Sequence, residues 1–193
     1  MIKTRLQDLR YWSFIRDSSF AKTSAFTIIE VIVAIGLVLV LAGLVLAVSG
    51  YTHEKGARSR AEVEIAGISA ALENYKADSG IYITATALDA KTIGNNLSSY
   101  PAASLALYEN LTGDFDHDRS ADSGKPSYIS FKPNQLSPSS GPVTCIKDPF
   151  GNSYGYSTAN AADASKGYNP TFDLWSTGGR SSGTDQSHWI KNW

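Results

Sequence analysis

A long apolar segment near the start of the chain decides its fold. Residues 24 to 50 read SAFTIIEVIVAIGLVLVLAGLVLAVSG. From Val31 to Val48 there are eighteen residues without a charge, and Phe26, Ile28 and Ile29 extend the apolar character toward the start. About 20 apolar residues are enough to cross a bilayer as an α-helix. We therefore predict a membrane-spanning helix here.

The charges on either side of this segment predict its orientation. Residues 1–25 carry a net charge of +3 and the remaining residues carry −4, which gives −1 for the whole chain. Basic residues flanking a spanning helix favour the cytoplasmic side. The N-terminus is therefore expected in the cytoplasm and the residues beyond 50 on the other side of the membrane. The nearly balanced total charge does not favour a nucleic-acid partner.

Glu30 lies inside the front of the apolar segment, where a carboxylate needs a partner. On insertion scales an acid at the centre of a spanning helix costs about 2.5–3.5 kcal/mol, and less near the interface. A plain signal anchor, the simplest alternative, offers no reason for such a residue. A cut between Ala25 and Phe26 does, because the new α-amino group would lie four residues before Glu30 and could pair with it.

The stretch Ser-Ala-Phe-Thr-Ile-Ile-Glu-Val, residues 24–31, resembles the processing motif of type IV pilins and type II secretion pseudopilins. In that family a prepilin peptidase cuts before a Phe, usually after Gly, and methylates the new amine. The resemblance implies that a leader, residues 1–25, is removed between Ala25 and Phe26. It also implies that Phe26 is N-methylated and that Glu30 is the carboxylate that assists assembly. Ala25 replaces the usual Gly.

After Gly50 the apolar residues become periodic, at spacings of three and four that are typical of an amphipathic helix. Ser79-Gly80 is a stop signal for that helix. The sequence therefore predicts one long helix, with a transmembrane or filament-core half at 26–50 and an amphipathic half at 51–80. The apolar face of the second half is expected to comprise Ala61, Ile65, Ile68, Leu72 and Tyr75.

The remaining residues, 81–193, are predicted to form a globular head. It consists of a polar loop region, 84–127, with a short helix around Leu105–Leu111, and a C-terminal antiparallel β-sheet, 128–193. Alternating residues predict a strand at Tyr128–Phe131. The single cysteine, Cys145, is predicted to be a buried, inert thiol, so no disulfide is expected within the head.

Two segments of the head resemble major pseudopilins. Asp148–Asn152, which reads DPFGN, is similar to a turn before a hairpin in that family, and Thr171–Trp175 is similar to its third strand. The fold class is therefore predicted as α+β, with a long N-terminal helix packed on a small antiparallel sheet, as in pilins.

Four acidic residues follow the spacing of positions 1, 3, 5 and 9 of an EF-hand-like calcium loop. They are Asp114, Asp116, Asp118 and Asp122. Arg119 stands where such a loop has Gly, and Lys125 where it has a bidentate Glu. The sequence leaves two alternatives open, a calcium loop and a solvated acidic turn, and no cofactor is required.

The resemblance implies a second candidate for calcium. Major pseudopilins hold the ion in the loop between the last strand and the terminal Trp, using several acids. The corresponding loop here, Ser176–Ser187, contains only Asp185, with Arg180 where an acid is expected.

The residues do not suggest an enzyme, because His53, His117 and His188 lack metal-ligand spacing and a nucleophile partner. The favoured hypothesis is a structural subunit of a type II secretion pseudopilus, assembled in the bacterial inner membrane with other pilin-like subunits into a periplasmic or surface filament. The resemblance implies prepilin peptidase and an inner-membrane assembly platform as partners. The alternatives are a type IV pilus pilin for adhesion, motility or DNA uptake, and a signal-anchored extracytoplasmic binding or hydrolytic domain.

Overall fold

The computed structural model describes residues 25–84 and 88–193. Apart from Ala25, the predicted leader lies outside the described residues. The chain divides into two units, with the boundary between Val48 and Ser49. Helix and antiparallel sheet are both present, as the α+β prediction requires. The helices are α1 (Ile28–Ser79) and α2 (Pro101–Thr112), and the strands are β1 (Leu136–Ser137), β2 (Cys145–Ile146), β3 (Gly155–Ser157), β4 (Asp173–Ser176) and β5 (Ile190–Lys191).

The first unit contains the front of α1. The segment Ile28–Leu46 is long and apolar enough to cross a membrane, with a mean hydropathy of 3.0, and none of it is buried within the described chain. Its large side chains are exposed, as Leu39 (67%) and Leu46 (75%) illustrate. Side chains this apolar favour surroundings without water. The chain therefore has one candidate membrane anchor among the described residues.

The second unit is organised around the rear of α1. Ala61, Ile65, Ile68 and Leu72 are all buried and share one hydrophobic core with residues of the sheets, such as Leu174. The predicted apolar face is confirmed in these four positions, and Tyr75 is half-buried. The helix ends at Ser79, and Gly80 follows with a φ of 82°. The helix end predicted from the sequence is therefore confirmed. Gly suits the position after it because Gly adopts this left-handed conformation without a steric penalty.

Helix α2 lies against β2 and β3 and covers the core from another side. It begins with Pro101 in its first turn and ends at Thr112, and Gly113 follows with a φ of 75°. Pro at the start and Gly just beyond the end are the favoured residues for those positions. The predicted short helix around Leu105–Leu111 is therefore confirmed, although it is longer at its start.

The strands form two small sheets instead of the one that was predicted. Strands β1 and β2 make a two-stranded antiparallel pair, and β3, β4 and β5 make a three-stranded antiparallel sheet in that order. Gly155 in β3 has a structural reason, because a Cβ there would lie 2.2 Å from the ring of Trp175 on β4. The indole of Trp175 is stacked on that of Trp189, with ring centroids 5.3 Å apart.

The strand predicted at Tyr128–Phe131 is wrong, because these residues form no strand. The backbone N–H groups of Tyr128 and Ile129 both donate to the carbonyl oxygen of Leu111, at 2.8 and 3.3 Å. This carbonyl lies in the last turn of α2, where it has no partner within the helix. The segment therefore covers the end of α2 and does not extend a sheet.

The DPFGN stretch forms a closed turn around the carboxylate of Asp148, which is buried. Asp148 Oδ1 accepts hydrogen bonds from the backbone N–H groups of Phe150 (3.0 Å) and Asn152 (2.8 Å), and Oδ2 accepts from Ser176 Oγ (2.5 Å). The turn thereby joins the β2–β3 connection to β4. The buried position of Cys145 in β2 is also as predicted.

Candidate functional site

The residues predicted to be cut and modified lie directly before α1. Ala25, Phe26 and Thr27 are not helical, and all three are exposed; the side chain of Phe26 is 82% exposed. A protease needs an extended, accessible backbone, which a helix does not offer. The Ala25–Phe26 peptide bond therefore lies in a segment suited to cleavage.

Glu30 and Thr27 close the start of α1 by a reciprocal pair of hydrogen bonds. The backbone N–H of Glu30 donates to Thr27 Oγ1 (3.3 Å), and Glu30 Oε2 accepts from the backbone N–H of Thr27 (2.8 Å). The Thr27 hydroxyl also donates to the same carboxylate oxygen, at 2.8 Å. This arrangement is a capping box, which satisfies two N–H groups that have no partner within the helix.

The capping box gives Glu30 a partner that the sequence analysis missed. The sequence pointed to an α-amino group at Phe26 as the partner, whereas in the structure the backbone N–H and the hydroxyl of Thr27 both donate to the carboxylate. The signal was present, because Thr followed three residues later by Glu is the usual pattern of a capping box. The negative charge also lies in the first turn, where the helix dipole favours it. Pairing with the new α-amino group stays a prediction.

The acidic loop between α2 and β1 brings together three of the four predicted ligands. Asp114, Asp116 and Asp118 each place a carboxylate oxygen within 4.8 Å of the other two. Asp122 does not belong to this group; its Oδ2 accepts a hydrogen bond from the backbone N–H of Phe115, at 2.9 Å. The EF-hand spacing therefore predicted three positions correctly as neighbours, and the fourth has a different role within the loop.

Asp114 is the buried member of the acidic loop. Its Oδ2 accepts hydrogen bonds from Tyr108 Oη (2.5 Å) and from the backbone N–H of Arg119 (2.7 Å). Burial raises its pKa, but these hydrogen bonds stabilise the anion by more, so the pKa lies below its usual value. Asp114 therefore remains a carboxylate without a metal ion.

Asp116 and Asp118 are exposed, and the two charges affect each other. A hydrogen bond from the backbone N–H of Asp118 lowers the pKa of Asp116. Desolvation and repulsion from the Asp118 carboxylate raise it by more in total, so its pKa lies above its usual value. Crowded carboxylates of this kind gain from a cation, although Ca²⁺ requires six to eight oxygen ligands. Three of them are brought together here, and calcium binding stays a prediction.

The loop that holds calcium in the resembling family has a different organising group here. Asp185 is exposed, and its Oδ1 accepts from the backbone N–H of Ser187 (2.9 Å). The loop is held from within by the buried side chain of Asn95. Its Nδ2 donates to the carbonyl oxygens of Ser182 (3.0 Å) and Asp185 (3.3 Å), and its Oδ1 accepts from Trp189 Nε1 at 2.6 Å.

Asn95 also binds this loop through its backbone, because its N–H donates to the carbonyl oxygen of Gly183 at 2.8 Å. The side-chain amide thus joins separate segments of this loop to one another. No sequence signal pointed to Asn95, since its partners are 87 to 94 residues away. The structure places one carboxylate, Asp185, in this loop, which is a poor ligand set for calcium.

Comparisons with protein-family models and with curated protein sequences give no match to this chain.

Proposed function

We propose that this chain is a structural subunit of a type II secretion pseudopilus, with no catalytic role. The observation that carries the proposal is the coincidence at the start of α1. An exposed Ala25–Phe26 bond immediately precedes a helix that begins at Ile28, carries Glu30 in its first turn and is apolar to Leu46. A plain membrane anchor requires neither the carboxylate nor the exposed bond at this position.

The proposed pathway begins in the bacterial inner membrane, with the N-terminus in the cytoplasm and the head outside it. Prepilin peptidase removes residues 1–25 and methylates Phe26. Subunits then pass through an inner-membrane assembly platform into a periplasmic or surface filament. The apolar surface of Ile28–Leu46, exposed in the single chain, packs there against other subunits. Calcium in the Asp114–Asp118 loop is an additional proposal, favoured by the proximity of three carboxylates.

The experiment that tests the proposal expresses the full chain in cells with a pseudopilus assembly system. Mass spectrometry of the assembled protein should find Phe26 at the N-terminus, carrying one added methyl group. Cells without prepilin peptidase provide the control, in which residues 1–25 remain. Assembled protein that still begins at Met1 would overturn the proposal and favour a signal-anchored binding domain. Filaments that retract or mediate adhesion would instead favour a type IV pilus.

Three variants in the same cells separate the two roles of Glu30. Glu30→Gln retains an acceptor for the Thr27 contacts but removes the charge, whereas Glu30→Ala removes both. Glu62→Ala is a matched control, because Glu62 is exposed on the same helix outside the spanning segment. We expect both Glu30 variants to be cut and inserted but to give few filaments. Normal filament yield from Glu30→Gln would show that the carboxylate only caps the helix.

A further inference from the structure

A cleft in the second unit combines basic side chains with an apolar floor. It has a volume of about 490 Å³ and lies between α1 and the loops that follow β2 and β4. Ala57, which is buried, and Phe150, which is half-buried, supply apolar surface. The rim carries Arg60 and Arg180, together with His53 and one acid, Glu54. The cleft therefore suits a ligand that is both apolar and negatively charged.

Neither arginine of the cleft forms a close ion pair with a carboxylate of a described residue, although Arg180 lies near enough to Asp185 to help lower its pKa. The described residues form the ion pairs His117–Glu109 and Lys166–Asp163, and neither pair lies in the cleft. Arg180 Nη2 lies 3.2 Å from His188 Nε2, and Arg60 makes no hydrogen bond to a described residue. Both arginines are exposed and charged, so they are available to a carboxylate from outside the molecule.

The acidic loop has the complementary chemistry. Phe115 is 45% exposed and directly precedes the exposed Asp116, with Asp118 two residues further on; Lys125 Nζ lies 5.2 Å from the centre of its ring. Arg119 does not pair with these carboxylates, because its guanidinium donates to the carbonyl oxygens of Gly141 (3.0 Å) and Pro138 (2.7 Å). The exposed ring and the two carboxylates complement the apolar side chains and the two arginines of the cleft.

The cleft and the acidic loop lie toward opposite ends of the rear of α1. The cleft includes Ala57. The acidic loop follows the last turn of α2, and that turn lies beside Tyr75, because Tyr75 Oη is 3.4 Å from Asn110 Oδ1. Ala57 and Tyr75 are about 27 Å apart along the helix axis at 1.5 Å per residue. A contact between two different surfaces of identical copies produces an open filament when the rotation between neighbours does not close into a ring.

We propose that the cleft at Arg60 and Arg180 binds the acidic loop of a second copy, with Phe115 on the apolar floor and Asp116 and Asp118 on the arginines. The inference rests on the proposed filament function and adds the surfaces that hold neighbouring heads together. In the proposed arrangement the α1 helices of neighbouring copies lie parallel and are shifted along their axis.

The test cross-links neighbouring copies of the full chain in cells that assemble the filament. The chain carries His53→Cys in the cleft and Ser120→Cys in the acidic loop, with Cys145→Ser to remove the native thiol. Both engineered positions are exposed and leave the four charged residues intact. A short bis-maleimide, added with EDTA so that no divalent ion contributes, should produce a ladder of covalent oligomers. Filaments that give no ladder would overturn the inference.

Charge reversal then tests the electrostatic part of the inference. Arg60→Glu with Arg180→Glu places like charges opposite each other, so the ladder should weaken at least about tenfold. Adding Asp116→Lys with Asp118→Lys restores opposite charges and should recover most of it. Lys55→Glu is the matched control, because Lys55 is exposed on α1 but does not line the cleft.

The readouts separate this inference from the proposed function. Cleavage at Phe26 and filament yield of the wild-type chain report on the function, and the ladder reports on the contact. Filaments whose ladder is unchanged by charge reversal would refute the contact and leave the function intact. Each variant's melting temperature, if equal to that of the wild-type head, shows that a lost ladder is not caused by unfolding.

Discussion

The two units of the chain differ in where their apolar side chains find partners, although α1 contributes to both. In Ile28–Leu46 the large apolar residues are exposed, and none of the segment is buried in the described chain. In the rear of α1 the buried positions Ala61, Ile65, Ile68 and Leu72 face a core made by the same chain. One continuous helix can therefore be stabilised by different surroundings along its length. The front depends on surroundings outside the chain, and the rear depends on the head.

The sequence explains this difference, because the front is apolar on every side and the rear on one. An all-apolar helix is buried in a large core or in a membrane, whereas an amphipathic helix covers a soluble domain. The head of this chain closes its core without using Ile28–Leu46. The described apolar surface of the front is therefore left for lipid or for other subunits.

The largest expected effect on stability comes from truncating a buried leucine in the second unit, compared with an exposed leucine in the first. Leu72 is fully buried, so Leu72→Ala should lower the free energy of unfolding of the head by about 2–5 kcal/mol. Leu39→Ala is the matched control, since Leu39 is 67% exposed and should leave the head unchanged. Urea unfolding of the full chain in mild detergent, followed by tryptophan fluorescence, measures both. Equal losses from the two variants would contradict the division into separately stabilised units.

A smaller effect on stability is expected if the head binds calcium. If Ca²⁺ binds the acidic loop, a free concentration of about 100 times Kd stabilises the folded head by about 2.7 kcal/mol. The melting temperature should then rise by several degrees relative to chelator. Asp116→Ala with Asp118→Ala should abolish the shift. A shift abolished instead by Asp185→Ala would place the ion in the Ser176–Ser187 loop, and equal melting in calcium and chelator would show a solvated acidic turn.

The smallest effect concerns the buried carboxylate of Asp148. Burial raises its pKa above the usual value, and its three hydrogen bonds oppose that shift only in part. The folded state therefore favours the protonated form. The stability that this preference contributes is fully present below the usual pKa and is lost as the pH rises through the raised pKa.

Comparing wild type with Asp148→Asn isolates this dependence, because Asn has the same size and does not titrate. The stability of the wild type relative to the variant should fall as the pH rises from below about 4, the usual pKa of Asp, through the raised pKa. Urea unfolding of both chains at several pH values measures the difference. A difference that rises over this range would contradict the direction of the pKa shift and indicate that the hydrogen bonds to the anion dominate.

Local patterns in the sequence predicted the helices better than the strands, although the strand expected at Thr171–Trp175 overlaps β4. The spacing of Ala61, Ile65, Ile68 and Leu72 repeats over several turns, so it encodes one buried face clearly. Strands of two to four residues are too short for an alternating pattern to stand out. Tyr128–Phe131 alternates like a strand, but its N–H groups bind the end of α2. A strand forms only when another strand pairs with it, and the local sequence does not specify that partner.

In the candidate sites, too, groups of residues that are close in the sequence were easier to predict than groups that are far apart. Asp114, Asp116 and Asp118 are close in sequence, and a short loop keeps them close in space. Asp122 fits the same spacing, but its carboxylate accepts a hydrogen bond from the backbone N–H of Phe115 instead. The Thr27–Glu30 capping box was readable from four consecutive residues, whereas Asn95 was not, since its partners lie about 90 residues away.

By itself, the sequence determined the apolar front of α1, its amphipathic rear, the stop at Gly80 and the residues around the Ala25–Phe26 bond. Each depends on contacts within one or two helical turns, or on hydrophobicity alone. Only the tertiary structure decided which loops carry unpaired charge, how Asn95 holds the Ser176–Ser187 loop, and how Arg60 and Arg180 come to share one cleft. Those features join residues far apart in the chain, and folding of the whole head is what brings them together.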